Sequence, residues 1–238
     1  MKQDNYKMTR IYSYVLRIDD GAAPNPFWGL CTLTICKPAI RRNAQIGDWV
    51  IGTGSKNTKL KDGKTYDFSD SIVYAMKITD KKSLKEYDEF CKNKLTNKIP
   101  KWKTIDWRLR VGDCIYDYSI NNVPTIRKGV HNEGNRQRDL GGLYSLLSDH
   151  FYYFGVEARP LPTVLKELIK KNQGHKKIEK VELIQEFEKW ISEFEKNKLY
   201  ADPQMRWLFD RELSDEEVSA CAKEKLENDE DENEETLC

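Results

Sequence analysis

Gly47-Asp48-Trp49-Val50-Ile51-Gly52-Thr53-Gly54-Ser55-Lys56 decides how this chain folds, because a tight turn leads straight into an apolar, branched and aromatic run. Working outward, Ser71 to Thr79 predicts a second strand with a largely apolar face, and Leu30 to Cys36 and Ile11 to Ile18 predict two more before it. The prolines at 24 and 26 break the chain between those two, and Pro38 to Ala44 suits a short helix with proline at an early position. Residues 53–70, rich in Gly, Lys and Asp, predict a long mobile loop. Ser83 and Glu86 form a capping box for a helix through about Cys91, with Pro100 in the loop beyond. Arg110 to Tyr116 repeats the Gly-Asp-then-strand pattern, an echo that an ordinary turn also explains.

From Pro160 the periodicity becomes helical. Val164, Leu165, Leu168 and Ile169 precede a capping Gly174, and Ile178, Val181, Ile184, Phe187, Trp190, Ile191 and Phe194 draw one apolar stripe. A last helix is expected over Gln204 to Glu212, and Ser214 to Glu217 suits the start of a short acidic one. Strands followed by helices give an α+β class: a curved mixed β-sheet or partial barrel over residues 8–155, packed by C-terminal helices. The expected division is a main domain over 8–177, a helical extension over 178–213 and an acidic, partly disordered tail over 214–238.

The 238 residues are 39% hydrophobic and 33% charged, a soluble globular balance with no apolar run near the roughly 20 residues of a spanning helix. The first residues carry no apolar segment behind their lysines, so a cytoplasmic protein without membrane partners is expected. The formal charge of +1 conceals an asymmetry: residues 214–238 hold eleven acids and two lysines, a net of −9, which leaves +10 on the rest. A basic body is consistent with phosphate-bearing partners, and the acidic tail is a candidate surface for a protein partner. Six cysteines lack zinc-finger spacing, and in a straight strand Cys31 and Cys36 would point to opposite faces, so free thiols are expected.

Two clusters could carry chemistry. Pro24 to Ser55 combines flat aromatic faces (Phe27, Trp28), cations (Lys37, Arg41), Asn25 and the glycine-rich Gly54-Ser55 end, a mixture suited to stacking a base and approaching phosphate with backbone N–H groups. Gly52 to Lys56 is not a nucleoside-triphosphatase phosphate loop, since lysine follows serine, but consecutive amides there could form a small anion nest. The second cluster, His131 to Tyr153, supplies Arg138, Ser148 and Tyr152 as further nucleotide contacts. It also holds the acid–base candidates His131, Asp139 and His150, with His150 beside Asp139 or Asp149 as the pair to test. Each has a structural reading as a packed or hydrogen-bonded side chain. His131, His150 and His175 lack ligand spacing, so no metal is expected, and no cofactor is named by the sequence. The basic turn Gly174-His175-Lys176-Lys177 complements a helix end or, less simply, contacts a phosphate.

Ala23-Pro24-Asn25-Pro26-Phe27, Gly29, Cys31-Thr32-Leu33, Cys36-Lys37-Pro38, Ile40-Arg41-Arg42 and Gly47 to Ser55 together resemble the second of the nucleotide-modification-associated domain families. Val73 to Met76, Gly112-Asp113, Asp139 to Gly142, Leu146 to Ser148 with Phe151 to Gly155, Pro162 and Gly174-His175 follow in the same order, so the resemblance covers about residues 11–177. It implies a bacterial or phage protein associated with modified nucleobases and supplies no active site. The Gly-Asp turn between strands is also similar to the small PUA and EVE barrels that hold a base in a groove. The resulting expectation is recognition of a modified base or nucleotide, in nucleic acid, in a DNA-modification or phage-defence setting. Trp28 or Tyr152 would stack, with charge from Lys37, Arg41 and Arg138. The rival is an enzyme using His150 or His131 with Asp139, and a scaffold that docks through its tail is a third.

Overall fold

The computed structural model describes residues 8–210 other than Asn121 and Gln173. The expected acidic helix and tail, and the last residues of the expected Gln204 to Glu212 helix, lie outside the described residues. In chain order the elements are β1 (Ile11–Leu16), β2 (Cys31–Leu33), α1 (Pro38–Asn43), β3 (Trp49–Gly54), β4 (Thr58–Lys59), β5 (Thr65–Tyr66), β6 (Ser71–Lys77), β7 (Asp80–Ser83) and α2 (Leu84–Lys94). They continue with β8 (Tyr116–Asp117), β9 (Thr125–Ile126), α3 (Arg136–Gly141), β10 (Tyr144–Ser148), β11 (Phe151–Tyr153), β12 (Arg159–Pro160), β13 (His175–Ile178), α4 (Val181–Ile191) and β14 (Lys198–Leu199).

The class is α+β. A seven-stranded mixed sheet runs β13-β1-β3-β6-β11-β14, with β12 also on β6. Its path is open, so the sheet does not close into a complete barrel. The run quoted first is its centre: β3 lies parallel to β1, from Ile11 opposite Trp49 to Leu16 opposite Gly54, and antiparallel to β6. β3 and β6 are buried along nearly their whole length because both faces of the sheet are covered. Alternation sorts their side chains. Tyr12, Tyr14, Val50, Met76, Phe151 and Tyr153 enter one core, whereas Ile11, Trp49, Ile51, Ala75 and Tyr152 enter the other.

The second core is closed by α4, whose Leu183, Ile184, Phe187 and Ile191 are buried, as most of the expected stripe requires. Val181 is exposed instead, because it sits at the first helical position, away from the sheet. The first core is closed by a three-stranded sheet, β2-β10-β7, which holds the chain on either side of α1 and α3.

Several local expectations change. Residues 53–70 are not one loop, since β3 continues to Gly54 and a small β4–β5 hairpin follows. The second strand stops at Leu33, because Cys36 and Lys37 both turn into the left-handed region (φ 58° and 44°). The Gly112-Asp113 echo opens no strand until Tyr116. Asp113 is instead buried and accepts hydrogen bonds from Tyr87 (2.7 Å) and Thr32 (2.5 Å), tying it to the buried Lys98 through Thr32. The apolar run after Pro162 is a 3-10 segment, Thr163–Leu168, and residues 206–209 form a 3-10 turn. The capping box at Ser83 and Glu86 is present in both directions.

Candidate functional site

The carboxyl ends of the parallel pair β1 and β3 open into a cleft of about 1460 Å³. Ligands of open sheets characteristically lie beyond strand carboxyl ends, where the connecting segments diverge. Arg17 follows β1 and Lys56 follows β3. The segment after Leu165 contributes Lys166, Lys170 and Lys171, and Lys176 comes from β13. With Lys37 at the inner wall, seven cationic side chains face two acids, Asp70 and Glu167, and Asp70 is paired with Lys166. Leu16, Ile18, Ala23 and Ile169 give the cleft apolar wall area.

Cys36 and Lys37 reach this wall because β2 pairs with β10 and then turns sharply into α1. Each left-handed non-glycine residue costs about 1–2 kcal/mol, so the turn persists only where surrounding contacts fix it. They do so here. The Cys36 amide donates to Asp139 Oδ1 (3.0 Å), and its carbonyl accepts from Arg41 Nε (2.7 Å). Arg41 is fully buried and also donates to the carbonyls of Tyr144 (2.9 Å) and Asp139 (2.6 Å), fastening the turn to α3 and β10.

Behind the thiol lies a relay. His131 Nε2 is 3.4 Å from Cys36 Sγ, and His131 Nδ1 is 2.6 Å from Asp139 Oδ2, which also accepts from Tyr116 (2.9 Å). His131 and Asp139 are buried, whereas Cys36 lies at the cleft wall with 7% of its surface exposed. Burial opposes ionisation of Asp139, but the His131 charge and hydrogen bond, the Arg41 charge and the Cys36 amide outweigh it and hold the carboxyl below its ordinary range. With Asp139 an acceptor, Nδ1 carries the proton, and Nε2 faces the thiol, accepting from it when the ring is neutral and donating to the thiolate when the ring is charged. Cys31, by contrast, is sealed from solvent and pushed up to about 12 by burial.

The expected site residues divide. Lys37, Gly54 and Ser55 line the cleft. Gly54 is needed for packing, because a Cβ there would stand 2.5 Å from the Phe68 carbonyl oxygen. Asn25 is buried and bonded to Lys98 and Val111, and Phe27 packs edge-on against Trp107 in the core. Trp28 lies under the Arg108 guanidinium, and Arg138, on α3, is away from the cleft walls. Arg41 is turned inward, so its guanidinium binds carbonyls rather than facing the cleft. Ser148 donates to the Lys77 carbonyl (2.6 Å).

Tyr152 and His150 project to the other face of the sheet. Tyr152 stacks beside Trp49, and His150 packs edge-on against Trp49 with Nε2 3.4 Å from the Tyr152 hydroxyl. The expected pairing of His150 with Asp139 is therefore absent, since the alternation of β11 sends residue 150 away from the face that holds Asp139. His131 with Asp139 is the pair that forms. The Pro24 to Ser55 stretch and the His131 cluster do converge, but at Cys36 rather than around a shared cavity. Cys36 is the member that reading the sequence missed. Its signal there was Cys-Lys-Pro before a short helix, which carries no marker of a left-handed turn. Among the described residues no group of three His, Cys, Asp or Glu is arranged to hold a metal ion, and no helix is long and apolar enough to cross a membrane.

The open mixed sheet, with a basic cleft at its strand ends, makes the chain an α+β domain. The family model for nucleotide modification associated domain 2 matches residues 8–211, and the chain belongs to that family. The match passes residue 177 to include α4, which packs on the same sheet. No curated protein and no solved structure matches the chain.

Proposed function

We propose that the cleft binds the phosphate-bearing part of a nucleotide, in nucleic acid, as the recognition step of a nucleotide-modification system. The observation that carries this reading is the surplus of cations, seven against two acids, around one concavity at the ends of β1 and β3. A concave basic wall focuses its field and raises the local concentration of anions. The volume exceeds the roughly 300–1,000 Å³ of ordinary small-molecule pockets, which leaves room for more than one nucleotide. Phosphates would meet Arg17, Lys56, Lys171 and Lys176, and a base would lie against Leu16, Ile18 and Ile169. The stacking role expected of Trp28 and Tyr152 does not belong to this reading, because neither lines the cleft.

Titration of a labelled single-stranded oligonucleotide at increasing salt tests it. Binding should weaken with a log–log slope of about −0.7 per phosphate neutralised. Lys171→Glu and Lys176→Glu should each weaken binding and flatten that slope. A salt-independent profile that neither charge reversal alters overturns the reading. The enzymatic alternative is favoured by one observation, the His131–Asp139 contact directed at Cys36, and it leads to the next inference.

A further inference from the structure

We infer that Cys36 is a nucleophile, activated by His131 and oriented through it by Asp139, which forms a transient thioester with an acyl-type carbon carried by the cleft's ligand. The substrate class, a phosphate-bearing nucleotide or nucleic acid with an amide or ester substituent, rests on the cleft reading. The nucleophile itself does not.

Four observations converge on this one sulfur. Although buried in the first core, it also borders the basic cleft, which none of the other described cysteines, Cys31, Cys91 and Cys114, does. Its left-handed backbone is held by the Asp139 and Arg41 hydrogen bonds, which fix where the sulfur points. A histidine nitrogen faces it at 3.4 Å, and that ring's other nitrogen is fixed by a buried carboxylate at 2.6 Å. The carboxylate in turn accepts from Tyr116 and from the Cys36 amide, so it orients both partners of the relay at once. Nucleophile, base and orienting acid in hydrogen-bond sequence are the geometric signature of covalent catalysis.

The step balances within the chain and its substrate. The Cys36 proton moves to His131 Nε2, and the sulfur electron pair forms an S–C bond to the acyl carbon. The carbonyl π pair retreats to oxygen and returns as the C–N or C–O bond breaks. The leaving amine or alcohol departs with that pair and takes the proton from His131. Water then attacks the thioester carbon, giving one proton to His131, and the thiolate leaves and recovers that proton. The net reaction is hydrolysis. Asp139 stays ionised throughout and stabilises the imidazolium that forms twice. Lys37, the next residue, also lines the cleft and supplies positive charge for the carbonyl oxygen, on which the negative charge develops.

Iodoacetamide labelling of the intact protein, read at Cys36 by peptide mapping, tests the activation. An unactivated thiol ionises near 8.5, so lowering that value by one unit speeds labelling about tenfold at pH 7. Cys36 should therefore react at least about tenfold faster than Cys36 in urea-unfolded protein, with its pH profile displaced to lower pH. His131→Asn should remove the advantage. A merely structural histidine would predict faster labelling on substitution, because loosening exposes the thiol. Should His131→Asn fail to fold, the wild-type profile decides alone. p-Nitrophenyl acetate should acetylate Cys36, and Cys36→Ser should abolish that adduct. Ordinary reactivity of Cys36 in the folded protein, or no acetyl adduct, overturns the inference. Lost oligonucleotide binding with an activated Cys36 instead overturns the cleft reading and spares the nucleophile.

Discussion

His131 and His150 lie toward opposite faces of one sheet, and their surroundings differ in kind. His150 is held edge-on between Trp49 and Tyr152, and burial together with Lys196 and Lys77 pushes its pKa below the usual histidine value. His131 has a carboxylate at one nitrogen and a thiol at the other. The α4 face, where Trp49 Nε1 donates to Glu188 (2.9 Å), is built for packing. The face of the first core spends strain and buried charge to position a few polar atoms. The comparison teaches that a histidine's chemistry here is set by which partners the sheet delivers to its two nitrogens, not by its neighbours in sequence.

The sharpest way to break this contrast is to damage each face separately. Phe187→Ala should cost about 3–5 kcal/mol in urea unfolding, the usual range for a buried ring, while leaving Cys36 labelling unchanged. If labelling falls with it, the two faces are not independent. Asp139→Asn should cost less, about 2–3 kcal/mol, because the amide keeps part of the hydrogen bonding, but it should slow Cys36 labelling markedly. Acid sharpens the same comparison. Asp139 and Glu188 both have folded-state values below their ordinary ones. At Glu188, burial is outweighed by hydrogen bonds from Lys77 and Trp49 and by the Lys77 charge. Each therefore stabilises the fold fully above about pH 4 and loses that contribution as pH falls through its folded value. Thermal melts should show the loss, and Asp139→Asn should remove only its own share.

The smallest expected effect belongs to His150. Its folded pKa is lowered, so the neutral ring is favoured. The associated stability is complete above about pH 6.5 and declines as pH falls through the lower folded value. His150→Gln should flatten the melting profile across that window and leave both Cys36 labelling and oligonucleotide binding as they were. A loss of either would move the functional centre to the α4 face.

Much of the scaffold was legible in the chain. Trp49 to Gly52 and Ser71 to Lys77 announce strands through branched and aromatic density, Ser83 and Glu86 announce a helix start, and Ile184, Phe187 and Ile191 repeat at helical spacing. These signals are local, so a single sequence displays them. The candidate site was legible only in fragments. His131, Asp139 and Lys37 were marked by residue type, but Arg41 looked like a phosphate contact and Tyr152 like a stacking platform. Nothing in the local pattern tells whether a guanidinium will face a cleft or three buried carbonyls, or which face of the sheet an aromatic strand residue will take.

Sequence alone determined the α+β class, the central strands, the capped helix, the basic body and the acidic tail, because propensity, period and charge are properties of adjacent residues. Tertiary structure decided the rest. The parallel alignment of β1 and β3 gathers the cations at one sheet end. The pairing of β2 with β10, and the packing of α1 on α3, bring Cys36 to Asp139 across 103 positions of chain. A hydrogen-bond relay is a property of distances between atoms, and those distances exist only after the sheets have chosen their register.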